Sequence, residues 1–243
     1  LVFLALADVF LFKVSVFVYL AGVAVYTGIT IYGSAVVSSQ LFLPAICKGK
    51  SDHAVAITFD DGPVPGKTNR ILDILAEHQV PATFFCIGNR IYDHPDLVRQ
   101  LLMHGHAIGN HSYWHGTFFD LQSAGKIRQE LQMTDEAIEQ VIGKRPVFFR
   151  PPYGVTNPAL ARAVKQGNYI TIGWSIRSMD TVIKNPEVLL NKVTKSVKGG
   201  DIILLHDHSE ATIVMLPKLL AHLVKSGLKI VPLDVLVKKQ AYA

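Results

Sequence analysis

The sequence predicts an α/β fold in which seven parallel strands curl toward barrel closure behind a hydrophobic N-terminal segment. Three observations predict it. Short apolar runs recur at 54–59, 82–87, 106–109, 147–150, 169–174, 201–206 and 229–232. Stretches with helical periodicity separate them, and strands that alternate with helices build a parallel sheet. Residues 1–41 stand apart in composition. Seven strand–helix units favour closure over an open sheet.

The chain has 243 residues, room for one large α/β domain and an appendage. Its net charge is +5, without a Lys/Arg run interleaved with aromatics, which argues against nucleic acid as a partner. A mildly basic surface still suits an anionic polymer or lipid head groups. The two cysteines, Cys47 and Cys86, make neither a disulfide framework nor a zinc motif. Cys86 sits in an apolar run and reads as a small core residue.

Residues 14–37 carry no charge, and this run exceeds the roughly 20 residues that a membrane-spanning helix needs. Leu1 to Phe12 is also apolar, broken by Asp8, and Lys13 separates the two stretches. A cleaved signal peptide has a shorter apolar core and a small-residue cleavage site. A buried helix shows polar positions in each turn. The expectation is a membrane anchor over residues 1–41, spanning at about 14–37. Lys13 places the N-terminal side in the cytoplasm and the rest on the exported, periplasmic or extracellular face. Residues 42–53 read as a linker, and 54–243 as the folded domain.

Within that domain the helices follow in order. Residues 67–78 put Ile71, Ile74, Leu75 and His78 on one face. Residues 94–104 carry Pro95 in the first turn and stop at Gly105. Residues 122–142 repeat apolar positions from Ile127 to Val141 at helical spacing. Asn157-Pro158 and Asn185-Pro186 are cap-plus-proline starts. Residues 213–226 close at Gly227.

Chemistry-bearing residues gather where strands end. Asp60 and Asp61 follow the first strand, His111 and His115 the third, Arg150 the fourth, Asp180 the fifth and His206 the sixth. In (β/α) barrels the site lies at that rim. A His pair four apart points the same way if it makes one helical turn, and such a pair can share a metal. Among ten histidines the pair alone is a weak signal, and two exposed loop histidines are the plainer alternative. Asp61 as third ligand would leave a position open, the mark of a catalytic ion. Zinc fits this set, and cobalt, nickel or iron also accept it. Arg150 before Pro151-Pro152 is either a surface arginine at a proline turn or the partner that keeps an Asp ionised. His206 at an apolar strand end is either a core histidine or a general acid.

Taken together, Thr58-Phe59-Asp60-Asp61-Gly62-Pro63, His111-Ser112-x-x-His115, Arg150-Pro-Pro-Tyr153-Gly and Leu204-x-His206 resemble the ordered motifs of the polysaccharide deacetylases. These are the NodB-homology proteins, or carbohydrate esterase family 4. The resemblance covers about residues 54–237. It implies a distorted (β/α) barrel and metal-dependent removal of N- or O-acetyl groups from an envelope or extracellular polysaccharide, such as peptidoglycan or a chitin-like glycan. It implies Asp60 as general base, Asp61, His111 and His115 as ligands of one divalent ion, and Arg150 orienting Asp60. It further implies the Tyr153 N–H as oxyanion donor, Leu204 in the acetyl pocket, and His206 as general acid supported by Asp180. One motif departs: the family often shows Asp-x-x-Asp-Trp after the fifth strand, and here Asp180 matches the second Asp while Arg177 replaces the first and Thr181 the Trp. Trp174 and Arg177 are then expected in the sugar groove, with Arg177 either pairing with Asp180 or turned toward an anionic group of the substrate. Competing expectations are an amidase or O-acetyl esterase for another substrate, and a non-catalytic carbohydrate-binding protein on the same fold.

Overall fold

A computed structural model describes residues 15–243. Lys13 and the apolar stretch before it lie outside the described residues. The centre of the domain is β1, Ala54–Gly62, buried along nearly its whole length. It pairs in parallel with β2 (Thr83–Cys86), β7 (Ile202–His206) and the short β8 (Lys229–Ile230). From β2 the sheet continues through β3 (Ala107–Asn110) and β4 (Phe148–Phe149) to β5 (Ile170–Thr171). On the other side β7 pairs with β6 (Ile176–Arg177). All ladders are parallel, so every strand delivers its C-terminal end to one rim.

The sheet has one more strand than the sequence predicts, because the expected strand 169–174 is cut short. Ile172 and Gly173 turn their carbonyls onto the Arg150 guanidinium, at 3.2 and 3.0 Å. The chain bends there and re-enters the sheet as β6. The gap between the edge strands β5 and β6 is thus crossed by the chain itself, and Ile46 bridges to Ile172 beside it. The result is a curled, distorted (β/α) barrel.

Helices cover the outside: α2 (Lys67–Glu77), α3 (Gly88–Asp93), α4 (Pro95–Met103), α5 (Ala124–Ile142), α6 (Pro158–Gln166), α7 (Pro186–Thr194), α8 (Glu210–Lys225) and α9 (Leu233–Val237). Four of them, α5 to α8, start at side-chain caps. Asn157 accepts from the Leu160 N–H and Asn185 from Glu187 and Val188, each with proline in the first turn. Helix α8 begins three residues before its apolar pattern does, because Ser209 caps it through the Thr212 N–H. The main core lies between these helices and the sheet, with the Phe59 and Phe84 rings stacked 4.9 Å apart at its centre.

Before the barrel comes α1, Val16–Ala35. Among the described residues it is the one helix long and apolar enough to cross a membrane, and its apolar window is only 6% buried. Its last turn is tied to the domain. Thr156 donates its N–H to the Ser34 carbonyl and its hydroxyl to the Gly33 carbonyl, each at 3.0 Å. The segment after α1 also packs on the barrel. Leu43 is buried in a cluster with Phe119 and Phe149, and Lys48 bridges to Asp201.

Candidate active site

Successive residues of a strand face opposite ways, so adjacent aspartates at the end of β1 should diverge. The ladder to β2 shifts register between Asp60 and Gly62, and Asp61 takes a left-handed φ of 73°. This bulge re-aims the second carboxylate, and both aspartates line one rim cavity. The next residue must be glycine, since a Cβ on Gly62 would lie 2.2 Å from the Asp207 carboxylate.

Asp60 is held from below. The fully buried Arg150 donates to Asp60 Oδ1 at 2.7 Å and to Thr58 Oγ1 at 2.8 Å. Thr58 in turn donates its hydroxyl to the Ile203 carbonyl at 2.8 Å. The guanidinium lies 4.1 Å from the Phe85 ring, so its position is over-determined by charge, hydrogen bonds and stacking. With Oδ1 occupied, Asp60 Oδ2 is left facing His111 Nε2 at 3.8 Å.

The histidine pair converges, though not through the helical turn expected from its spacing. Residues 111–115 form a loop with left-handed φ values at Ser112 (63°) and His115 (49°). Asn110 shapes it by accepting from the Ser112 N–H at 2.9 Å. His111 Nδ1 bonds the Arg150 carbonyl at 2.8 Å. A carbonyl only accepts, so Nδ1 carries the proton and the Nε2 lone pair is free. Asp61 Oδ1 sits 3.4 Å from His111 Nε2 and 3.3 Å from His115 Nε2, and this buried oxygen has no hydrogen-bond partner among the described residues. Ligands 2.0–2.1 Å from a tetrahedral ion stand about 3.3 Å apart. The orphaned oxygen and the two spacings therefore fit one divalent ion. Burial, with His111 second, lowers the His115 pKa to about 4 and keeps the ring neutral for ligation. Burial works against ionising Asp61, but His111 and His115 outweigh it and hold its carboxyl well below the usual range.

Across the cavity, His206 Nδ1 meets Asp180 Oδ1 at 2.7 Å, and the His206 N–H donates to Oδ2 at 2.7 Å. Ser178 donates to Oδ1 at 2.9 Å and Thr212 to Oδ2, so the fully buried Asp180 is saturated. Burial pulls His206 toward neutrality. The Asp180 hydrogen bond and charge, with Asp60 and Asp61 behind them, reverse this and raise it to about 9. Tyr153, Trp174, Arg177, Thr181 and Leu204 also line the cavity, which has a volume of about 240 Å³. Trp174 packs on the turn after Arg150, where a Cβ on Gly154 (φ 72°) would meet the indole at 2.4 Å. The Arg177 guanidinium stands 5.8 Å from the Trp174 ring, and its expected alternative pairing with Asp180 is not made.

Residues that sequence reasoning missed approach Asp61 from outside that cavity. Arg90 donates to the Asp61 carbonyl, and His208 Nδ1 lies 3.5 Å from Asp61 Oδ2. His208 follows His206 closely enough in the sequence to have been considered; Arg90 carries no local signal. Asp207 is fully buried against Thr68 at 2.5 Å, and burial, with the Asp61 charge adding to it, lifts its pKa to about 7 although Thr68 opposes the rise.

Two histidines, two carboxylates and a carboxylate-backed histidine thus share one rim of a curled parallel α/β barrel. The profile of the polysaccharide deacetylases matches residues 48–172, and the chain belongs to that family. It is 37% identical over 193 residues to a peptidoglycan-N-acetylglucosamine deacetylase of Bacillus cereus, covering 77% of this chain and 90% of that protein. It is 33% identical over 196 residues to a Listeria monocytogenes enzyme of the same name, covering 81% of this chain but only 41% of the longer relative. A crystallised peptidoglycan N-acetylglucosamine deacetylase superposes with a TM-score of 0.77 at 29% identity, over 81% of this chain and 94% of the other.

Proposed function

We propose that this protein is a metal-dependent hydrolase that removes acetyl groups, chiefly N-acetyl, from an envelope polysaccharide such as peptidoglycan or a chitin-like glycan. The observation that carries the proposal is the orphaned Asp61 Oδ1 at 3.3–3.4 Å from two imidazole nitrogens, with Asp60 and His206 in the same cavity. Asp61, His111 and His115 would hold one divalent ion, zinc by its ligand preferences, with cobalt, nickel or iron as substitutes. Such an ion polarises the acetyl carbonyl and acidifies water.

The chain's own residues supply the rest. Asp60, with Oδ1 fixed by Arg150, takes the proton of the attacking water on Oδ2. The Tyr153 N–H faces the developing oxyanion, and Leu204 contacts the acetyl methyl. The carbon–nitrogen bond breaks as protonated His206 gives its proton to the leaving amine, and acetate departs. Trp174 and Arg177 form the wall against which the sugar lies. The helix α1 holds the domain in a membrane, with the barrel on the exported face.

His111→Ala is expected to abolish both stoichiometric metal, read by elemental analysis, and acetate release from acetylated glycans. Retention of one bound ion per chain would remove the ligand assignment. Arg177 has no acidic partner among the described residues, and its exposed charge is free to meet an anionic substituent of the glycan. Arg177→Ala should therefore raise KM on carboxylate-bearing peptidoglycan strands by roughly fivefold, about the 1 kcal/mol of an exposed charge pair. KM on neutral chitin oligomers and kcat on both should change little. Equal effects on the two glycans would rule out charge recognition.

A further inference from the structure

Phe118 and Leu121 are among the most exposed large apolar residues of the domain, at 71% and 75%. They flank Phe119, which is buried in the cluster with Leu43 and Phe149. Burying Phe119 fixes the short turn Phe119–Leu121, so its two apolar neighbours cannot fold inward. The turn lies where α1 leaves the barrel. Asn157 donates to the Asp120 carbonyl, and the preceding residue, Thr156, holds the last turn of α1 at Gly33 and Ser34. Leu41, itself half exposed, packs on Gly33, and Leu43 follows it to reach Phe119.

A helix of 20 residues is about 30 Å long, the thickness of a bilayer's hydrocarbon core. A span that fills the core ends at the interface. Side chains ringing that end therefore lie at head-group depth, where aromatic and aliphatic residues are favoured. Left in water, the same side chains would cost about 25 cal/mol per Å² of apolar surface relative to burial. We propose that the turn carrying Phe118 and Leu121, with Leu41, seats in the lipid interface of the membrane that α1 spans. The barrel would then be held in one orientation, not swinging on a tether. The Tyr153 hydroxyl bonds the His115 carbonyl at 3.4 Å, three residues before Thr156. This places the cavity rim beside the lipid surface and makes membrane-proximal glycan the substrate within reach. The inference rests on α1 being a membrane span.

The test uses the full chain in phosphatidylcholine nanodiscs, with Cys47→Ser and single cysteines at Phe118→Cys, Leu121→Cys or Met103→Cys carrying an environment-sensitive fluorophore. Cys86 is fully buried and stays. Met103 is 82% exposed and ends the helix that precedes β3, at the pole opposite the rim. Brominated acyl chains are expected to quench the labels at 118 and 121 at least twofold and to leave 103 unchanged. Equal emission in brominated and plain lipid at all three positions overturns the proposal. So does shielding at 118 and 121 that follows protein concentration instead of lipid, which would mean that a second copy covers the turn. A chain that enters discs without quenching refutes only the docking turn; a chain that stays outside the discs refutes the span as well.

Discussion

Replacing Arg150 with methionine is expected to lower the melting temperature by roughly 6–20 °C and to reduce acetate release to background. Arg150 and Asp60 are both buried and meet at 2.7 Å. Removing one partner of such a pair leaves an uncompensated buried charge, at a cost of about 3–5 kcal/mol. For a domain of this size each kcal/mol moves the midpoint by about 2–4 °C. Lysine is a poor substitute. One ammonium cannot reproduce four bonds in a plane to Asp60, Thr58, Ile172 and Gly173. The double variant Arg150→Met/Asp60→Leu separates stability from chemistry. With both charges gone, much of the melting temperature should return, because apolar replacement of a buried pair is often neutral. Activity should not return, because the proposed proton acceptor, Asp60, is missing. A single variant that melts within 2 °C of the parent would show that the pair does not hold the rim.

The same arginine marks the limit of what the sequence discloses. Its place at a strand end, before two prolines, is visible in the sequence, and so is the gathering of Asp60, His111 and His206 on one rim. The carbonyls that Arg150 binds are not visible, and they are what breaks the expected strand 169–174 into β5 and β6. A two-residue strand such as Ile176–Arg177 is too short for any periodicity to register. The spacing of His111 and His115 points to shared chemistry but gives the wrong local reason for it. The rings meet through a loop with two left-handed residues, shaped by Asn110. Nor does alternation allow two adjacent aspartates on one face; the bulge at Asp61 that permits it arises from pairing with β2. Arg90 reaches Asp61 from 29 residues away, and nothing near it in the chain announces the contact.

Asp180→Asn is expected to lower kcat by about 10²-fold or more, the lower part of the usual range for general acid–base catalysis, and to move the alkaline limb of the pH–rate profile downward. An unperturbed histidine titrates near 6.5 and is largely neutral at pH 7.5. Burial alone would take His206 lower still; Asp180 reverses this and brings it to about 9. The wild-type ring is therefore charged through the neutral range and loses activity as pH rises toward 9. Asparagine keeps the shape and removes the charge, so burial is then opposed only by the Asp60 and Asp61 charges and the limb should move down from about 9. The stability sign runs with it. A group whose folded pKa is raised adds stability that is complete below the unfolded value and is lost as pH rises through the folded one. The wild-type protein should therefore lose stability between about pH 6.5 and 9, while the variant should lose less there. Metal occupancy tests the same assignment from another side. An ion on Asp61 removes one of the lesser contributions to the His206 shift but leaves the Asp180 hydrogen bond untouched. Variants at His111 should consequently lose activity without the flattening of the stability–pH curve that Asp180→Asn produces. An Asp180→Asn enzyme with the parental pH profile would remove the proposed role of Asp180 in keeping His206 an acid.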